Sequence, residues 1–453
     1  MTRNHHSEKG QALVIMVLGM IALLGFTALA IDGGMLYADR RHAQDGADAA
    51  SWAGAGAAVG YLKEAADNDI AGGAGEDWSC SDTNTVVANA IVSAKSKAIA
   101  NAVQNDYTIT ASDDFNANGN IVAVNCVDTG ARYLDVRVSI TKDTDTSLAH
   151  FVYAGPAQNT VDAITRVFPR EPIAWGQSIV TLDDDNTCTG SDKGVRFTGG
   201  GSEASTVIVE GGIISKSCII ASGNITVSTG SAVYDQNSFY QPSGGGQVNP
   251  TPQPVVDNFT FSIPPPPCVG PIDPAPVAGY YMPGRYTSNI QVNTGQTANL
   301  NPGLYCFIDG ANLSVNGGNI TGNGVTFYFP AGGGSFNVGG NGTVQLTPPV
   351  EPCPVGDYYS GEDCAPAIPN LLLYIDPANT NPVNIGGNSA SIYEGTVYAP
   401  KSLVTIGGTN ETLSNIGLQV IAWSVKIHGT ATLNIDYDVD KTYHTPNYIN
   451  LEK

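Results

Sequence analysis

Hydrophobic and polar positions form three patterns along the chain, and the first is one uninterrupted apolar run. No residue from Ala12 to Ile31 is charged, and a helix of about 20 residues spans a hydrocarbon core of about 30 Å. Small residues then recur at helical intervals between Ala43 and Ala57, which predicts that the helix continues with a face suited to close packing. We therefore expect a cytoplasmic tail (1–11), a transmembrane helix (12–31) and a helical extension (32–60).

A cleavable secretory signal is the alternative interpretation of this run. Such a signal usually has a shorter apolar core and a small-residue cleavage site, for which Ala28 and Ala30 would serve. The short tail carries Arg3 and Lys9, and basic flanks remain on the cytoplasmic side. Because helix-forming residues continue past the apolar run, a retained anchor is favoured, with the bulk of the chain extracytoplasmic.

The second pattern, over 61–170, predicts a small α+β domain. Apolar residues such as Val87, Ile91 and Ala94 follow helical spacing within 83–106. Further on, Leu134 and its alternate neighbours are apolar while the residues between them are polar, which is typical of a half-buried strand. A long helix on a small antiparallel sheet would be pilin-like.

The third pattern is a repeat within 171–445. Two apolar residues separated by one position and followed by glycine recur at Val383, Val404 and Val425, at intervals of 21 residues. The 47 residues from Phe336 to Val383 are a double step, which indicates an insertion, placed at 347–370. Short strands with Gly/Asn corners at this period predict a parallel β-helix. A β-sandwich is the alternative.

Two segments of this region are given particular positions in the predicted stack. Residues 180–235 are expected to form its first coils, and the strand near residue 433 is expected to end it. Segment 241–285 is rich in proline, which inner strands do not tolerate, so we expect an extended excursion over the surface. The fold class is thus mainly β: a transmembrane helix, a pilin-like α+β domain and a parallel β-helix.

Composition restricts the partners. The 453 residues carry 20 Lys and Arg against 41 Asp and Glu, a formal charge of −21. Such a surface repels phosphate backbones, which argues against nucleic acid. The 53 glycines and 27 prolines favour β structure with tight corners.

The eight cysteines fall into neighbouring couples without zinc-type spacing. In an exported chain, an even number of cysteines favours disulfides. Of the 105 possible connectivities, we prefer nearest-neighbour pairing, and buried free thiols are the alternative. The couples are Cys80 with Cys126, Cys188 with Cys218, Cys268 with Cys306, and Cys353 with Cys364.

Residues suited to catalysis or metal binding are sparse. The one acidic cluster, Asp183, Asp184 and Asp185, lies in a turn with Asp192 and is interpreted first as a solvated turn. Because calcium prefers several oxygen ligands from one loop, Asp183, Asp185 and Asp192 are weak calcium candidates. We otherwise expect no metal, no cofactor and no catalytic residues.

The N-terminal segment resembles a known family. Gly10-Gln11-Ala12, the apolar run, Ala30-Ile31-Asp32-Gly33, Gln44 and Asp48-Ala49-Ala50 are similar to the start of TadE/TadG-like proteins of the tight-adherence (Flp) pilus assembly system. The 171–445 region also resembles the β-helical domains fused to some TadG-like proteins. Processed pilin-like members carry a Glu shortly after the cleavage Gly, but QALVIM follows Gly10 here. The resemblance therefore implies an uncleaved, membrane-anchored protein.

Three functions follow as hypotheses. The preferred one is a bacterial, membrane-anchored structural or accessory protein of a Tad (Flp) type pilus or cell-surface apparatus, with pilus-assembly proteins or pilin subunits as partners. The second is a surface adhesin that binds glycan or solid surfaces, with Tyr358, Tyr359, Tyr393 and Tyr398 as candidate contacts. The third is a polysaccharide-acting β-helix enzyme.

Overall fold

The chain divides into two compact units: residues 1–171 with 446–453, and residues 172–445. The computed structural model describes residues 11–67, 78–81, 86–129, 132–148, 155–185, 187–190, 193–200, 204–255, 259–356, 358–407, 413–429 and 432–452. Residues 1–10 of the predicted tail and the calcium candidate Asp192 lie outside these ranges.

The first unit begins with one long helix, α1 (Gln11–Asp67). Its apolar N-terminal part is exposed, and its best window has a mean hydropathy of 2.6 with none of it buried. The predicted anchor and its extension are therefore parts of a single helix, which is long and apolar enough to cross a membrane.

A second helix and a five-stranded sheet complete this unit. Helix α2 (Val86–Gln104) precedes the sheet, in which β1 pairs with β2 in parallel and all other neighbours are antiparallel. The last strand comes from the chain's C-terminal segment, where the sequence patterns predict no element. The strands, in sheet order, are β1 (Thr110–Ser112), β2 (Ile121–Val127), β3 (Tyr133–Thr144), β4 (Ala157–Phe168) and the C-terminal strand Tyr448–Glu452.

Alanines fill the contact between the two helices. Ala50, Ala58, Ala94 and Ala98 are among those fully buried. At Gly54 an added Cβ would lie 2.9 Å from the carbonyl oxygen of Ala94, so a larger residue there would push the helices apart. The small residues noted in the sequence are thus the means of close helix packing.

The second unit is a β-solenoid of about ten turns, built from three columns of parallel strands. Four long strands bend round corners and contribute to more than one column: Ser205–Ser215, Ile225–Asp235, Ile392–Gly407 and Leu413–Gly429. Column one contains Tyr280–Tyr281, Thr297–Leu300, Asn319–Asn323, Val344–Thr347, Thr432–Ile435 and Gln247–Asn249. Column two contains Gly284–Tyr286, Gly303–Phe307, Val325–Phe329, Leu371–Ile375, Ile179–Thr181 and Gln253–Val255. Column three contains Ile290–Asn293, Leu313–Asn316, Phe336–Gly339, Val383–Ile385, Val195–Gly199, Ile219–Ser222 and Tyr240–Ser243.

The turns do not stack in sequence order. Strand Leu413–Gly429 pairs in parallel with Ile179–Thr181 and with Val195–Gly199, and Thr432–Ile435 pairs with Ser205–Ser215. The stack therefore begins near Tyr280, reaches Ile435 and continues through Ile179 towards Val255. We call this junction the seam. The predictions that 180–235 starts the stack and that the strand near 433 ends it are wrong, because both lie at the seam, where each completes the other's turn.

The proline-rich segment connects the two ends of the stack. Residues 259–279 run along the outer face of column two and form what we call the strap. Tyr374 and Tyr398 donate hydroxyl hydrogen bonds of 3.0 Å to the carbonyl oxygens of Ile263 and Phe261 in the strap. Because the strap covers these strands, their outer and inner faces are both buried, as at Leu371–Ile375.

The predicted excursion, 241–285, is too long at both ends. Tyr240–Ser243 and Gln253–Val255 are strands of the last turn, and Gly284–Tyr286 is a strand near the opposite end of the stack. Pro242 and Pro254 are tolerated because, among the described strands, theirs pair on one side only.

Short elements also occur among the described residues. Their bounds are Glu171–Pro172 and His444–Thr445, which form a two-stranded ladder, and the 3-10 turns Ile173–Gly176 and Val439–Lys441.

Candidate functional site

Helix α1 changes character abruptly after its apolar run. Ile31 is 47% exposed, whereas the side chain next to it, Asp32, is only 7% exposed. The Asp32 carboxylate accepts backbone N–H hydrogen bonds from Ser147 at 2.7 Å and from Leu148 at 3.1 Å. A charged acceptor makes such bonds about twice as strong as neutral ones. Asp32 therefore fixes the loop after β3 to the point where the helix leaves its exposed apolar segment.

Polar contacts continue along α1 towards the sheet. Thr144 donates its hydroxyl to Asp39 at 2.7 Å, and Asn159 donates to the carbonyl oxygen of Leu36 at 3.2 Å. One turn further, Gln44 donates to Asp48 at 2.8 Å and to the carbonyl oxygen of Asp162 at 3.2 Å. Asp32, Gln44 and Asp48 all belong to the sequence resemblance described above. They hold the helix that carries the apolar run to the sheet.

His42 and Tyr107 extend this contact to the loop after α2. The His42 Nδ1 lies 2.7 Å from the Tyr107 hydroxyl. Burial raises the pKa of Tyr107, with further contributions from Asp39 and Asp106, because each disfavours the phenolate. Tyr107 consequently stays neutral and keeps its hydroxyl proton at physiological pH.

All eight cysteines are paired in the structure. The pairs are those of the nearest-neighbour pattern: Cys80–Cys126, Cys188–Cys218, Cys268–Cys306 and Cys353–Cys364, with Cα–Cα distances of 5.6, 6.0, 5.8 and 5.0 Å. These distances lie within the range that disulfides require. One pair belongs to the first unit and three to the solenoid, where Cys268–Cys306 attaches the strap to column two.

In the acidic turn of the solenoid, a lysine side chain lies beside the carboxylates. The Lys193 ammonium lies 3.6 Å from the fully buried Asp183 carboxylate and 3.2 Å from Asp185. The Asp183 carboxylate also accepts the N–H of Gly194. The hydroxyl and amide of Thr187, and then Lys193, lower the pKa of Asp185 to about 2. Lys193 thus balances the charge of Asp183 and Asp185, two of the weak calcium candidates. Within the described ranges, no group of three or more His, Cys, Asp or Glu side chains is arranged to hold a metal ion.

Register at the seam creates one carboxyl pair that the sequence did not indicate. Because Val209 is in register with Ile435, the next residues, Glu210 and Asp436, come side by side. A hydrogen bond to Asp436, together with its charge, raises the pKa of Glu210. Sequence patterns could not reveal this pair, because Glu210 and Asp436 are far apart along the chain. They become neighbours only through the strand pairing at the seam.

The tyrosines considered for an adhesive surface are mostly interior. Tyr359 and Tyr393 are buried and donate to the carbonyl oxygens of Gly324 and Gly386, each at 2.6 Å. Tyr398 is buried beneath the strap, and Tyr358 is half-buried. Because buried rings cannot contact a ligand, Tyr359, Tyr393 and Tyr398 act as packing residues.

A family model described as putative Flp pilus-assembly TadE/G-like matches residues 10–57. This range includes the exposed apolar run and the docked part of α1 up to the contact with α2. Comparisons with curated proteins and with solved structures give no match. The TadE/G-like segment is followed, after the α+β unit, by the β-solenoid.

Proposed function

We propose that this chain is an extracytoplasmic structural or accessory component of a bacterial Tad (Flp) type pilus or cell-surface apparatus, anchored by α1 and without catalytic activity. One observation carries the proposal: the helix that matches the TadE/G-like model is exposed and apolar over one part and fixed to a folded unit over the next. A membrane anchor joined rigidly to a folded domain requires this arrangement.

The four disulfides support an extracytoplasmic position for both units. Disulfides persist in oxidising compartments and are rare in the cytoplasm. Because one pair lies in the first unit and three in the solenoid, both units belong on the oxidising side. The basic Arg3 and Lys9 would then remain in the cytoplasm.

An accessory role is preferred to that of a cleaved filament subunit. The residues after Gly10 are QALVIM and contain no acidic side chain. Mass spectrometry of the N-terminus separates the two roles: an intact start (or loss of Met1 alone) in the membrane fraction supports a retained accessory, whereas a start at Gln11 in sheared filaments would make the chain a processed subunit.

Protease accessibility tests the topology. We expect a tag after Lys453 to be digested on intact cells or spheroplasts, and a tag before Arg3 to be protected until the membrane is permeabilised. Digestion of the N-terminal tag together with protection of the C-terminal one would reverse the orientation and overturn the proposal.

Deletion of the gene in the native host tests the pilus role. We expect fewer pili by electron microscopy, restored by the wild-type chain. A chain whose residues 12–31 are replaced by a cleaved signal should fail to restore them if anchoring is needed. Normal piliation in the deletion strain would contradict a role in the pilus.

A further inference from the structure

A side pocket that combines aromatic and charged side chains lies where the strap begins. Its cavity of about 170 Å³ lies over column two. Ile214 and Val233 come from neighbouring turns in register, Trp175 from the turn that opens the unit, and Phe259 from the first part of the strap. Lys216 and Asp235 also line it, as do Ser215 and Tyr234. We infer that this pocket binds a neutral saccharide ring.

Trp175 is held in a conformation that needs an explanation. It follows Ala174 in the left-handed region, with φ of 52° for Trp175 and 56° for Ala174. Side chains other than glycine rarely adopt this backbone, and bulky ones least of all. The indole is nevertheless 59% exposed, so burial of the ring does not compensate for the strain. Residues held in such sparsely populated backbone conformations cluster at active sites and ligand-binding sites.

Neighbouring rings fix the orientation of the indole. Trp175 packs edge-to-face against Phe259 and Phe261, with ring centroids 5.5 and 5.1 Å apart. Phe259 also lies beneath the Lys216 ammonium, 5.1 Å from the ring centre. A preorganised aromatic wall loses little side-chain entropy when a ligand binds.

The charged residues of the pocket suit hydroxyl groups. The Lys216 ammonium lies over the Phe259 ring, and it offers three hydrogen-bond donors. One oxygen of the Asp235 carboxylate accepts the backbone N–H of Asn237 at 2.8 Å, and a carboxylate has further lone pairs that can accept a ligand hydroxyl. Donor and acceptor together at an apolar wall match a pyranose ring, which has C–H groups on its faces and hydroxyls round its edge.

Size and charge favour a saccharide over other ligands that stack on aromatic rings. An apolar cavity of about 150 Å³ can bind benzene, and this pocket of about 170 Å³ therefore has room for a single small ring rather than for a longer ligand. The chain's charge of −21 disfavours nucleic acids. A neutral sugar at the end of a glycan avoids that repulsion. The inference is independent of the proposed pilus role, because the topology and deletion experiments give the same result whether or not a sugar binds.

Binding is tested on the full chain in nanodiscs or in a detergent without a sugar headgroup, since a glycoside detergent would compete. The probes are the methyl glycosides of glucose, galactose, mannose and N-acetylglucosamine, followed by saturation-transfer NMR and by tryptophan fluorescence. We expect saturable binding of at least one glycoside.

Three variants locate the site. Trp175→Gly removes the ring and relieves the left-handed backbone, so the fold is retained, and we expect a loss of about tenfold or more in affinity. Lys216→Met keeps the stem of the side chain and is expected to lose about three- to tenfold. Tyr280→Ala removes another exposed ring, 44% exposed and at the opposite end of the stack, and should leave affinity unchanged.

The inference fails if no glycoside binds, or if Trp175→Gly binds as tightly as the wild type. It also fails if a proline-rich peptide, used as a second probe, binds and the glycosides do not. Peptide-resolved hydrogen exchange confirms that each variant retains the solenoid, so lost binding is not mistaken for lost folding.

Discussion

The two units solve the problem of core packing in opposite ways. In the first, the helices approach closely through fully buried alanines such as Ala47, Ala90 and Ala98. In the solenoid, large rings stack from turn to turn, as Phe307 does on Phe329 with centroids 4.7 Å apart. The first core therefore requires small side chains at the helix contact, whereas the second requires large aromatic side chains. Large-to-small substitutions should therefore destabilise the solenoid, and small-to-large substitutions should destabilise the first unit.

Removing a ring from the solenoid core should have the largest effect. Phe327 is fully buried and contacts Tyr305 and Phe336, with centroids 5.8 and 5.6 Å away. Phe327→Ala leaves a cavity that the neighbouring turns cannot fill, and we expect a loss of about 3–5 kcal/mol in the free energy of unfolding of the solenoid. Urea unfolding read by peptide-resolved hydrogen exchange separates the two units.

Phe239→Ala is the control for this prediction. Phe239 is 39% exposed, and its loss should cost within about 0.5 kcal/mol, as for most surface substitutions. Equal losses for the two variants would mean that ring stacking is not what stabilises the solenoid.

Removing the disulfide that attaches the strap should have the second-largest effect on stability. The double variant Cys268→Ser with Cys306→Ser leaves no free thiol and frees a loop with a sequence separation of 38. We expect a loss of about 2–4 kcal/mol, since a disulfide restricts the unfolded chain. Hydrogen exchange should also rise at Leu371–Ile375, whose outer face the strap covers.

The corresponding double variant of Cys353 and Cys364 provides a comparison within the same unit. Its separation is 11, so the loop-entropy argument predicts a smaller loss, by about 1 kcal/mol. A larger loss from the short loop would show that the strap contributes little to stability.

Adding volume should damage the first unit. Gly54→Val places methyl groups against the Ala94 carbonyl and Ala98, and overpacking of this kind costs about 1–3 kcal/mol. Gly56→Ala is the matched control on the same helix, because nothing lies within 4 Å of its added Cβ. It should stabilise the helix by about 0.5–1 kcal/mol. If Gly54→Val is tolerated as well as Gly56→Ala, close packing at Gly54 does not control the stability of this region.

The sequence allowed the repeating parts of this fold to be predicted and left the non-repeating ones open. The spacing of 21 residues between Val383, Val404 and Val425 places them in one column, because side chains one turn apart must share an environment. Alternation similarly predicted strand β3. The long apolar helix and its TadE/G-like resemblance depended on local patterns and agree with the family match.

The seam and the C-terminal strand depend on contacts between distant segments. Any two apolar strands of matching length can stack, so nothing local in Ile179–Thr181 shows that it pairs with Leu413–Gly429 rather than starting the stack. Tyr448–Glu452 is likewise too short to show its partner. Trp175 was overlooked for a different reason: a tryptophan in a turn has no pattern, and its left-handed backbone is visible only in the structure.

The smallest expected effects concern two carboxylates, one in each unit, whose pKa values are lowered by different partners. In the first unit, hydrogen bonding and charge from Lys95, 2.8 Å away, lower the pKa of the exposed Asp113. In the solenoid, the hydroxyl and amide of Thr187 act first on Asp185, whose pKa falls to about 2, and Lys193 comes after them. Both lowered pKa values favour the folded state above the ordinary carboxyl pKa of about 3.9. This contribution disappears as pH falls through the folded pKa values.

Salt screens exposed charges more than short hydrogen bonds. In 1 M salt we therefore expect the pKa of Asp113 to rise towards its ordinary value and that of Asp185 to move less, as measured by carbon-detected NMR titration. Thr187→Val should then raise the pKa of Asp185 and leave that of Asp113 unchanged. Equal salt sensitivity at both carboxylates would show that Lys193, rather than Thr187, controls the acidic turn.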